Sequence, residues 1–259
     1  MPTLYVSTAS MPYIRRVAEF IAEQTQSKVD VGNRVTGSGL IFVIGGTLPP
    51  IERQPGAKYV FINFSAVEQV GMPTLRGLRW VKKKRQILFE RAQEVDAILD
   101  FYPAQTARLA RRLEVPVYPF PVAVNPVAKT QLKYDICYVG TTSKRRQKMK
   151  RMIEAQFSPR KGADIEDVAA CSRLTLNVHY ERGYHLEIPR IVGSLAAGTP
   201  VVSENGVGQN AFPIRTGSFK QLPRLVAEEL DQPTPVRDWY EDEYLTNARK
   251  QWASIMDTL

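Results

Sequence analysis

Short apolar runs alternate with amphipathic stretches along the first half of the chain. The apolar runs predict strands at 3–7, 28–31, 40–44, 59–64, 97–101 and 115–122. Between them, the spacing of apolar positions predicts helices at 11–26, 75–95 and 106–113. Strands with several consecutive β-branched and aromatic residues are typical of a parallel sheet that is covered on both faces. The first half therefore predicts repeated βαβ units.

The same order of elements restarts after a cluster of four prolines between positions 116 and 126. Proline is rare inside a sheet, so this cluster predicts a linker at 125–132. The next predicted elements are a strand at 134–139, a basic helix after it, a helix at 165–170, a strand at 174–179, a helix at 189–197 and a strand at 200–203. We predict an α/β protein with an N-terminal domain at 1–125, a second domain at 133–235 and a C-terminal helix at 236–259. That helix packs on its own domain or back on the first one.

Composition and charge narrow the range of partners. The 259 residues are 44% hydrophobic, and 35 Lys and Arg against 26 Asp and Glu give a net charge of +9. This balance is typical of a folded protein, and the positive charge favours nucleic acid, an anionic membrane surface or phosphorylated substrates. The chain shows no signal peptide and no apolar run long enough to cross a bilayer. The chain has two cysteines, and two buried thiols are a better interpretation than a disulfide. We therefore expect a cytoplasmic protein without integral membrane association.

Several common nucleotide-binding and hydrolase motifs are missing. No G-x-x-x-x-G-K-S/T motif occurs, which argues against a P-loop NTPase. Gly37 and Gly39 form a G-x-G before a strand, whereas a dinucleotide-binding fingerprint follows its strand. No G-x-S-x-G elbow is present.

The first motif with chemical content joins the strand at 134–139 to a basic helix. The strand ends at Gly140, Thr141 and the next hydroxyl residues can cap a helix, and Arg145 and Lys150 lie on that helix. The free N–H groups at a helix start bind phosphate well, and arginine adds a bidentate donor. These four residues are our first candidates for a phosphate site, and an exposed, solvated helix face is the alternative.

The second motif contains both histidines of the chain. His179 and His185 lie with Glu187 and Arg190 in the stretch that follows a predicted buried strand, and Glu204 ends the next strand. Such a density of polar groups after a buried strand predicts a loop that faces a ligand. A histidine that is satisfied at a strand end and a glutamate that only caps its helix are the alternatives for His179 and Glu187.

The two motifs together resemble the donor-binding domain of GT-B glycosyltransferases. The run from His179 to Glu204, with its A-A-G-T-P-V-V-S turn, is similar to that of CgeB-like and family-1-like members, in which a glutamate-containing loop leads into a helix ending in A-x-G-x-P-V-V-S. The resemblance covers roughly 134–206. It implies two Rossmann-like domains facing each other across a cleft, and transfer of a sugar from a nucleoside diphosphate, with a UDP-sugar as the expected co-substrate. It also implies no metal and no further cofactor.

The chain departs from this family at one pair of positions. Many retaining members carry two glutamates with seven residues between them, where this chain has His185 and Gly193. Glu187 and Arg190 then replace them, or Glu204 holds the ribose.

The resemblance assigns a catalytic base, if the reaction inverts, to the first domain, which contains no histidine. Glu68 and Asp100 follow or end predicted strands there, and either can equally be structural. His179 is the third catalytic candidate, because it would orient the sugar or the diphosphate.

Basic clusters in the first half suggest the acceptor. They favour DNA with a hydroxylated base, as for phage-type DNA glycosyltransferases, and a lipid-linked or cell-surface glycan or a non-catalytic nucleic-acid-binding protein are the alternatives. The sequence leaves the oligomeric state open. The residues predicted to contact nucleic acid are Arg15, Arg16, Lys82, Lys83, Lys84, Arg85, Arg108, Arg111 and Arg112.

Overall fold

The computed structural model describes residues 1–7, 11–32, 34–65, 67, 75–140, 143–158, 164–179 and 186–259. These residues divide into two compact units. The first unit contains the described residues up to 67 together with 75–122 and 247–259, and the second contains those between 123 and 246.

A parallel sheet forms the centre of the first unit. Among the described residues, six strands follow the order β2-β1-β3-β4-β5-β6, and every neighbouring pair is parallel. The strands are β1 (Thr3–Ser7), β2 (Lys28–Gly32), β3 (Leu40–Gly45), β4 (Lys58–Asn63), β5 (Ala97–Asp100) and β6 (Val117–Pro119). The central strands β3, β4 and β5 are almost completely buried, as their continuous apolar runs predict.

Three helices of the first unit lie between its strands in the described part of the chain. They are α1 (Met11–Thr25), α2 (Leu75–Arg91) and α3 (Pro103–Ala110). Leu88 of α2 and Leu109 of α3 pack with Tyr59 and Phe61 of β4 in one apolar core. This arrangement places the carboxyl ends of β3, β4 and β5 at the same edge of the sheet.

The second unit contains a smaller parallel sheet. Among its described residues, four strands follow the order β10-β9-β8-β7. The strands are β7 (Tyr134–Cys137), β8 (Ser172–Asn177), β9 (Val201–Glu204) and β10 (Arg215–Gly217). The helices are α4 (Lys144–Met152), α5 (Ile165–Ala170), α6 (Ile188–Ala196) and α7 (Leu222–Asp231).

The two faces of the second sheet have separate cores. Ile136 of β7 and Leu176 of β8 pack with Met149 of α4 and Val226 of α7 on one face. Cys137, on the opposite face, packs with residues of α5. The predicted α/β class with parallel sheets is therefore confirmed for both units, while the predicted cleft between the domains stays a prediction.

The C-terminal segment begins with a π-helix at Trp239–Leu245 and continues as α8 (Thr246–Thr258). Trp252 of α8 is fully buried, and its Nε1 donates to the carbonyl oxygen of Pro121 at 3.2 Å within the first unit. Its ring also contacts Phe120, with the ring centres 5.6 Å apart. No helix in the described part of the chain is long and apolar enough to span a membrane.

Candidate functional site

Charged side chains gather at the carboxyl edge of the second sheet. Arg145 and Arg146 come from the start of α4, after β7, while Glu187 and Arg190 come from the start of α6, after β8. Glu204 is the last residue of β9. Because β7, β8 and β9 are parallel neighbours, their carboxyl ends bring together residues that lie up to 59 positions apart in the chain.

The connection from β7 to α4 fixes the two arginines of α4. Ser143 is the N-cap, and its hydroxyl accepts a hydrogen bond from the backbone N–H of Arg146 at 3.2 Å. Gly140 has φ +128°, which favours glycine. A Cβ atom at Gly140 would lie 2.7 Å from a terminal nitrogen of Arg190 and 2.8 Å from one of Arg146. The glycine therefore lets the backbone approach both guanidinium groups.

Arg146, Glu187 and Arg190 form an ion cluster in which Arg146 is buried and the other two are half-buried. Arg146 is 3% exposed, donates from Nε to the carbonyl oxygen of Val178 at 2.8 Å and binds Oε1 of Glu187 at 2.7 Å. Arg190 binds the other carboxylate oxygen of Glu187 and Oδ1 of Asn177. Burial alone would raise the pKa of Glu187, but the charges of Arg190 and Arg146 outweigh it and hold that pKa below its usual value. Glu187 is therefore ionised at neutral pH.

Arg145 and Glu204 form a second pair beside this cluster. The two terminal nitrogens of Arg145 bind the two carboxylate oxygens of Glu204, which is the bidentate geometry that also suits a phosphate. The guanidinium lies 4.2 Å from the ring centre of Phe219, which stacks on it. These ion pairs contain three arginines and two glutamates, so together the five side chains carry one excess positive charge.

His179 follows β8 and contacts residues at the end of β9. Its backbone N–H approaches a carboxylate oxygen of Glu204 at 3.4 Å, and its Nε2 lies 3.0 Å from the carbonyl oxygen of Asn205. Because a carbonyl only accepts, Nε2 carries the proton. Nδ1 of His179 and the hydroxyl of Tyr138 are both buried, and neither has a hydrogen-bond partner among the described residues. Burial raises the pKa of Tyr138 to about 12, so its phenol remains protonated at neutral pH.

Most of the predicted donor-binding residues that the structure describes come together at this edge. Five of them lie next to Arg145, Arg146 or a residue bound to one of these two arginines; they are Gly140, His179, Glu187, Arg190 and Glu204. Lys150 is placed differently, because its Nζ lies 4.5 Å from the ring centre of Phe157 and 5.7 Å from that of Tyr138. Thr141 and His185 lie outside the described residues, and so does the catalytic candidate Glu68.

Gly193 is explained by helix packing. A Cβ atom there would lie 2.8 Å from side-chain atoms of both Ile165 and Glu166, so α6 approaches α5 closely at this point. A glutamate has no room at this position. The departure from the two-glutamate pattern is therefore built into the packing of the second unit.

Asp100 is completely buried at the end of β5. Its carboxylate accepts hydrogen bonds from the amides of Asn63 and Gln105, both at 2.6 Å, and from the backbone N–H of Tyr102 at 2.9 Å. Burial raises the pKa of Asp100, although these donors oppose the shift. This arrangement favours a structural role over the predicted role as a catalytic base.

The basic residues of the first unit differ in exposure. Lys82, Lys83, Arg108, Arg111 and Arg112 are exposed, while Arg16, Lys84 and Arg85 are half-buried. Arg15 is exposed and pairs with Glu19 at 3.6 Å. Lys84 is directed to Ser65, with Nζ 2.6 Å from Oγ, so it does not belong to an exposed basic face.

The sequence-based candidates did not include four residues that lie at this site, namely Arg146, Asn177, Tyr138 and Phe219. Arg146 lies within a run of basic residues and does not stand out in the sequence. Its position three residues after the capping Ser143 is the feature that could have predicted its role. Phe219 and Asn177 reach the site through strand order, which the sequence alone does not specify. Among the described residues, no group of three His, Cys, Asp or Glu side chains could hold a metal ion.

No protein-family model and no curated protein sequence matches the chain. Solved structures are similar to it, among them the following three. The GtfA/B complex has 12% identity over 86% of this chain and 58% of that chain, with a TM-score of 0.46. The pneumococcal O-GlcNAc transferase GtfA, solved with UDP and GlcNAc, has 10% identity over 84% and 53%, with a TM-score of 0.42. TarM has 13% identity over 82% and 51%, with a TM-score of 0.47.

These neighbours are GT-B glycosyltransferases, the group that the sequence motifs predict. The chain spans between 51% and 58% of their length. Because the identities and TM-scores are low, the function has to be argued from the residues of this chain. The likeness to CgeB-like and phage-type proteins stays a prediction.

Proposed function

We propose that the chain is a glycosyltransferase that uses a nucleoside-diphosphate sugar, with a UDP-sugar as the expected donor. The cluster of Arg145, Arg146 and Arg190 at the carboxyl edge of the second sheet carries this proposal. Ligands of parallel α/β sheets bind at this edge, and guanidinium groups match the oxygens of a diphosphate.

The arginines also suit the chemistry of the leaving group. A diphosphate gains negative charge as the bond to the sugar breaks, and fixed cations stabilise that charge in the transition state. Arg146 and Arg190 are held in place by Glu187, Asn177 and the backbone, so they need little rearrangement. Arg145 differs, because it can exchange the carboxylate of Glu204 for a phosphate.

A thermal-shift screen with UDP, GDP, ADP and CMP and their sugar conjugates tests the donor. A ligand at about 100 times its dissociation constant stabilises the folded state by about 2.7 kcal/mol, which is a visible rise in melting temperature. Arg145→Gln should weaken the binding of the active nucleotide at least tenfold, or about 1.4 kcal/mol. The control is Arg173→Gln, an exposed residue of the second unit that pairs with Asp135 at 3.4 Å. Absence of a shift with every nucleotide would contradict the proposal.

For the acceptor, we propose DNA that carries a hydroxylated base. The exposed cations of α2 and α3 in the first unit support this choice, since a phosphate backbone binds such a surface. Transfer of labelled sugar to hydroxymethylated DNA, compared with unmodified DNA, tests it. Transfer to a lipid-linked or surface glycan instead would replace DNA as the acceptor, and DNA binding without any nucleotide binding would indicate a non-catalytic binding protein.

A further inference from the structure

The carboxylate of Glu204 covers the part of Arg145 that would bind a phosphate. Both terminal nitrogens of Arg145 bind the two carboxylate oxygens of Glu204, and a phosphate accepts the same two parallel hydrogen bonds from a guanidinium group. The side chains of Arg145 and Glu204 are 18% and 11% exposed, so solvent reaches both partners. Within the second unit, this carboxylate therefore takes the place of an anionic ligand.

The guanidinium group of Arg145 has supports that do not depend on Glu204. The ring of Phe219 stacks on it, with the ring centre 4.2 Å away. A terminal nitrogen of Arg145 also lies 3.4 Å from the carbonyl oxygen of His179. In addition, Arg145 is the second residue of α4, whose start is capped by the hydroxyl of Ser143. These contacts hold the guanidinium group at the edge of the sheet when the carboxylate leaves it.

The backbone of Glu204 is fixed, while its side chain can rotate. Glu204 is the last residue of β9 and lies in register with Gly217 of β10. The next residue, Asn205, donates its N–H to the carbonyl oxygen of Gly217 at 2.9 Å. Beyond this backbone, a glutamate side chain has several single bonds with alternative rotamers. The carboxylate can therefore leave Arg145 and return to it without a change in the strand.

We propose that the Glu204 carboxylate competes with the diphosphate for Arg145 and thereby limits how tightly the protein binds its donor and its product. This inference rests on the glycosyl transfer proposed above. The carboxylate binds Arg145 in the free protein, the diphosphate displaces it, and it returns as the diphosphate leaves. Because Arg145 is available only in molecules whose pair is open, the apparent affinity for the diphosphate is reduced by that fraction. A pair that is closed in about nine molecules of ten weakens binding about tenfold.

Isothermal titration of the full chain with inorganic pyrophosphate tests the competition without any activity assay. Glu204→Gln keeps the size of the side chain and removes its charge, so we expect it to bind pyrophosphate about tenfold more tightly than wild type. Glu204→Asp keeps the charge on a shorter side chain and should also bind more tightly, because its carboxylate no longer spans the distance to Arg145. A Glu204→Gln variant that binds equally or more weakly would show that the carboxylate only positions Arg145. Wild-type affinity in Glu204→Asp would show that the charge alone matters, and either result would overturn the proposal.

A double variant separates competition for Arg145 from the general loss of negative charge. In an Arg145→Gln background there is no guanidinium group to compete for, so the addition of Glu204→Gln should bring no gain in pyrophosphate binding. The same gain in that background would indicate a long-range charge effect and would contradict the proposal. The matched control is Glu228→Gln, which removes one charge from the surface of α7 and should leave the affinity unchanged.

Arginine labelling gives a second measurement that does not depend on a ligand. Phenylglyoxal modification, followed by mass spectrometry of peptides, should be faster at Arg145 in Glu204→Gln than in wild type, because the carboxylate no longer covers the guanidinium group. The exposed Arg173 should react equally in both proteins. Equal labelling of Arg145 in the two proteins would show that the pair does not close, which would overturn the proposal. A melting temperature close to that of wild type confirms that each variant is folded.

The outcomes distinguish this inference from the proposed function. A wild-type protein that binds a nucleotide in the thermal-shift screen, with no gain in pyrophosphate affinity on Glu204→Gln, would overturn the competition and leave the proposed function standing. A wild-type protein that binds neither a nucleotide nor pyrophosphate would contradict the proposed function, and the role of Glu204 with it.

Discussion

At the scale of single residues, Glu187 is the side chain on which the cluster of the second unit depends. It is the carboxylate partner of both Arg146 and Arg190, which are only 4% and 15% exposed at their side chains. Replacing Glu187 with glutamine removes the negative charge that binds these two poorly solvated guanidinium groups. We expect Glu187→Gln to lower the free energy of unfolding by about 2–3 kcal/mol, as measured by chemical denaturation.

This effect should depend on pH in a defined direction. The pKa of Glu187 is lowered in the folded state, so its contribution is complete above the unfolded value of about 4.3. The contribution is lost as pH falls through the lower folded value, and the difference between wild type and Glu187→Gln should shrink there. Glu228→Gln is the matched control, because Glu228 pairs with Arg224 and Arg215 at 3.4 and 3.8 Å on the surface. A similar loss in both variants would show that the cluster has no special role.

At the scale of elements, the connection between β7 and α4 positions the arginines for a ligand. Gly140→Ala would place a methyl group within 2.8 Å of both Arg146 and Arg190. We expect the variant to lose at least tenfold in nucleotide affinity, since both guanidinium groups must move. Isothermal titration with the nucleotide found by the screen measures it.

A second glycine separates this effect from backbone strain. Gly56 also has a positive φ of +74°, and a Cβ atom there would meet nothing within 4 Å. Gly56→Ala should cost about 1–2 kcal/mol of stability from its left-handed backbone, with nucleotide affinity unchanged. Equal affinities for Gly140→Ala and wild type would show that the arginines do not contact the ligand.

The elements also show what the sequence could predict. The long apolar runs gave β3, β4 and β8 to within two residues, because buried parallel strands have a strong signal. The predicted strand at 115–122 is reduced to β6 (Val117–Pro119), since the prolines around it cannot donate to a ladder. β10 and α7 were not predicted, and three-residue β10 is too short to show a period.

Side-chain partners were harder to predict than elements. Lys84 lies in a run of four basic residues that predicts an exposed face, yet it is directed inward to Ser65. Asp100 ends a strand, which suggests a site residue, but two amides from β4 and α3 enclose it. Such contacts depend on strand order and on helix rotation, and neither is encoded in the local pattern.

At the scale of the whole molecule, the net charge of +9 predicts that binding to DNA depends strongly on salt. The logarithm of the association constant should fall linearly with the logarithm of salt concentration, by about 0.9 for each neutralised phosphate. The exposed Lys82 and Lys83 of α2 should contribute to this slope. We expect the double variant Lys82→Gln/Lys83→Gln to reduce the magnitude of this slope by about 2, one for each cation. Fluorescence anisotropy at several salt concentrations measures the slope.

The control for this prediction removes the same charge from other surfaces. Lys28 begins β2 and Lys133 precedes β7, so both are exposed at the amino edges of their sheets, away from the carboxyl edges where ligands bind. Lys28→Gln/Lys133→Gln should leave the slope unchanged if contacts are local to α2. Equal slopes for the two double variants would show that only overall charge attracts DNA. Binding that does not respond to salt would remove DNA as the acceptor, because neutralised phosphates must release their counterions.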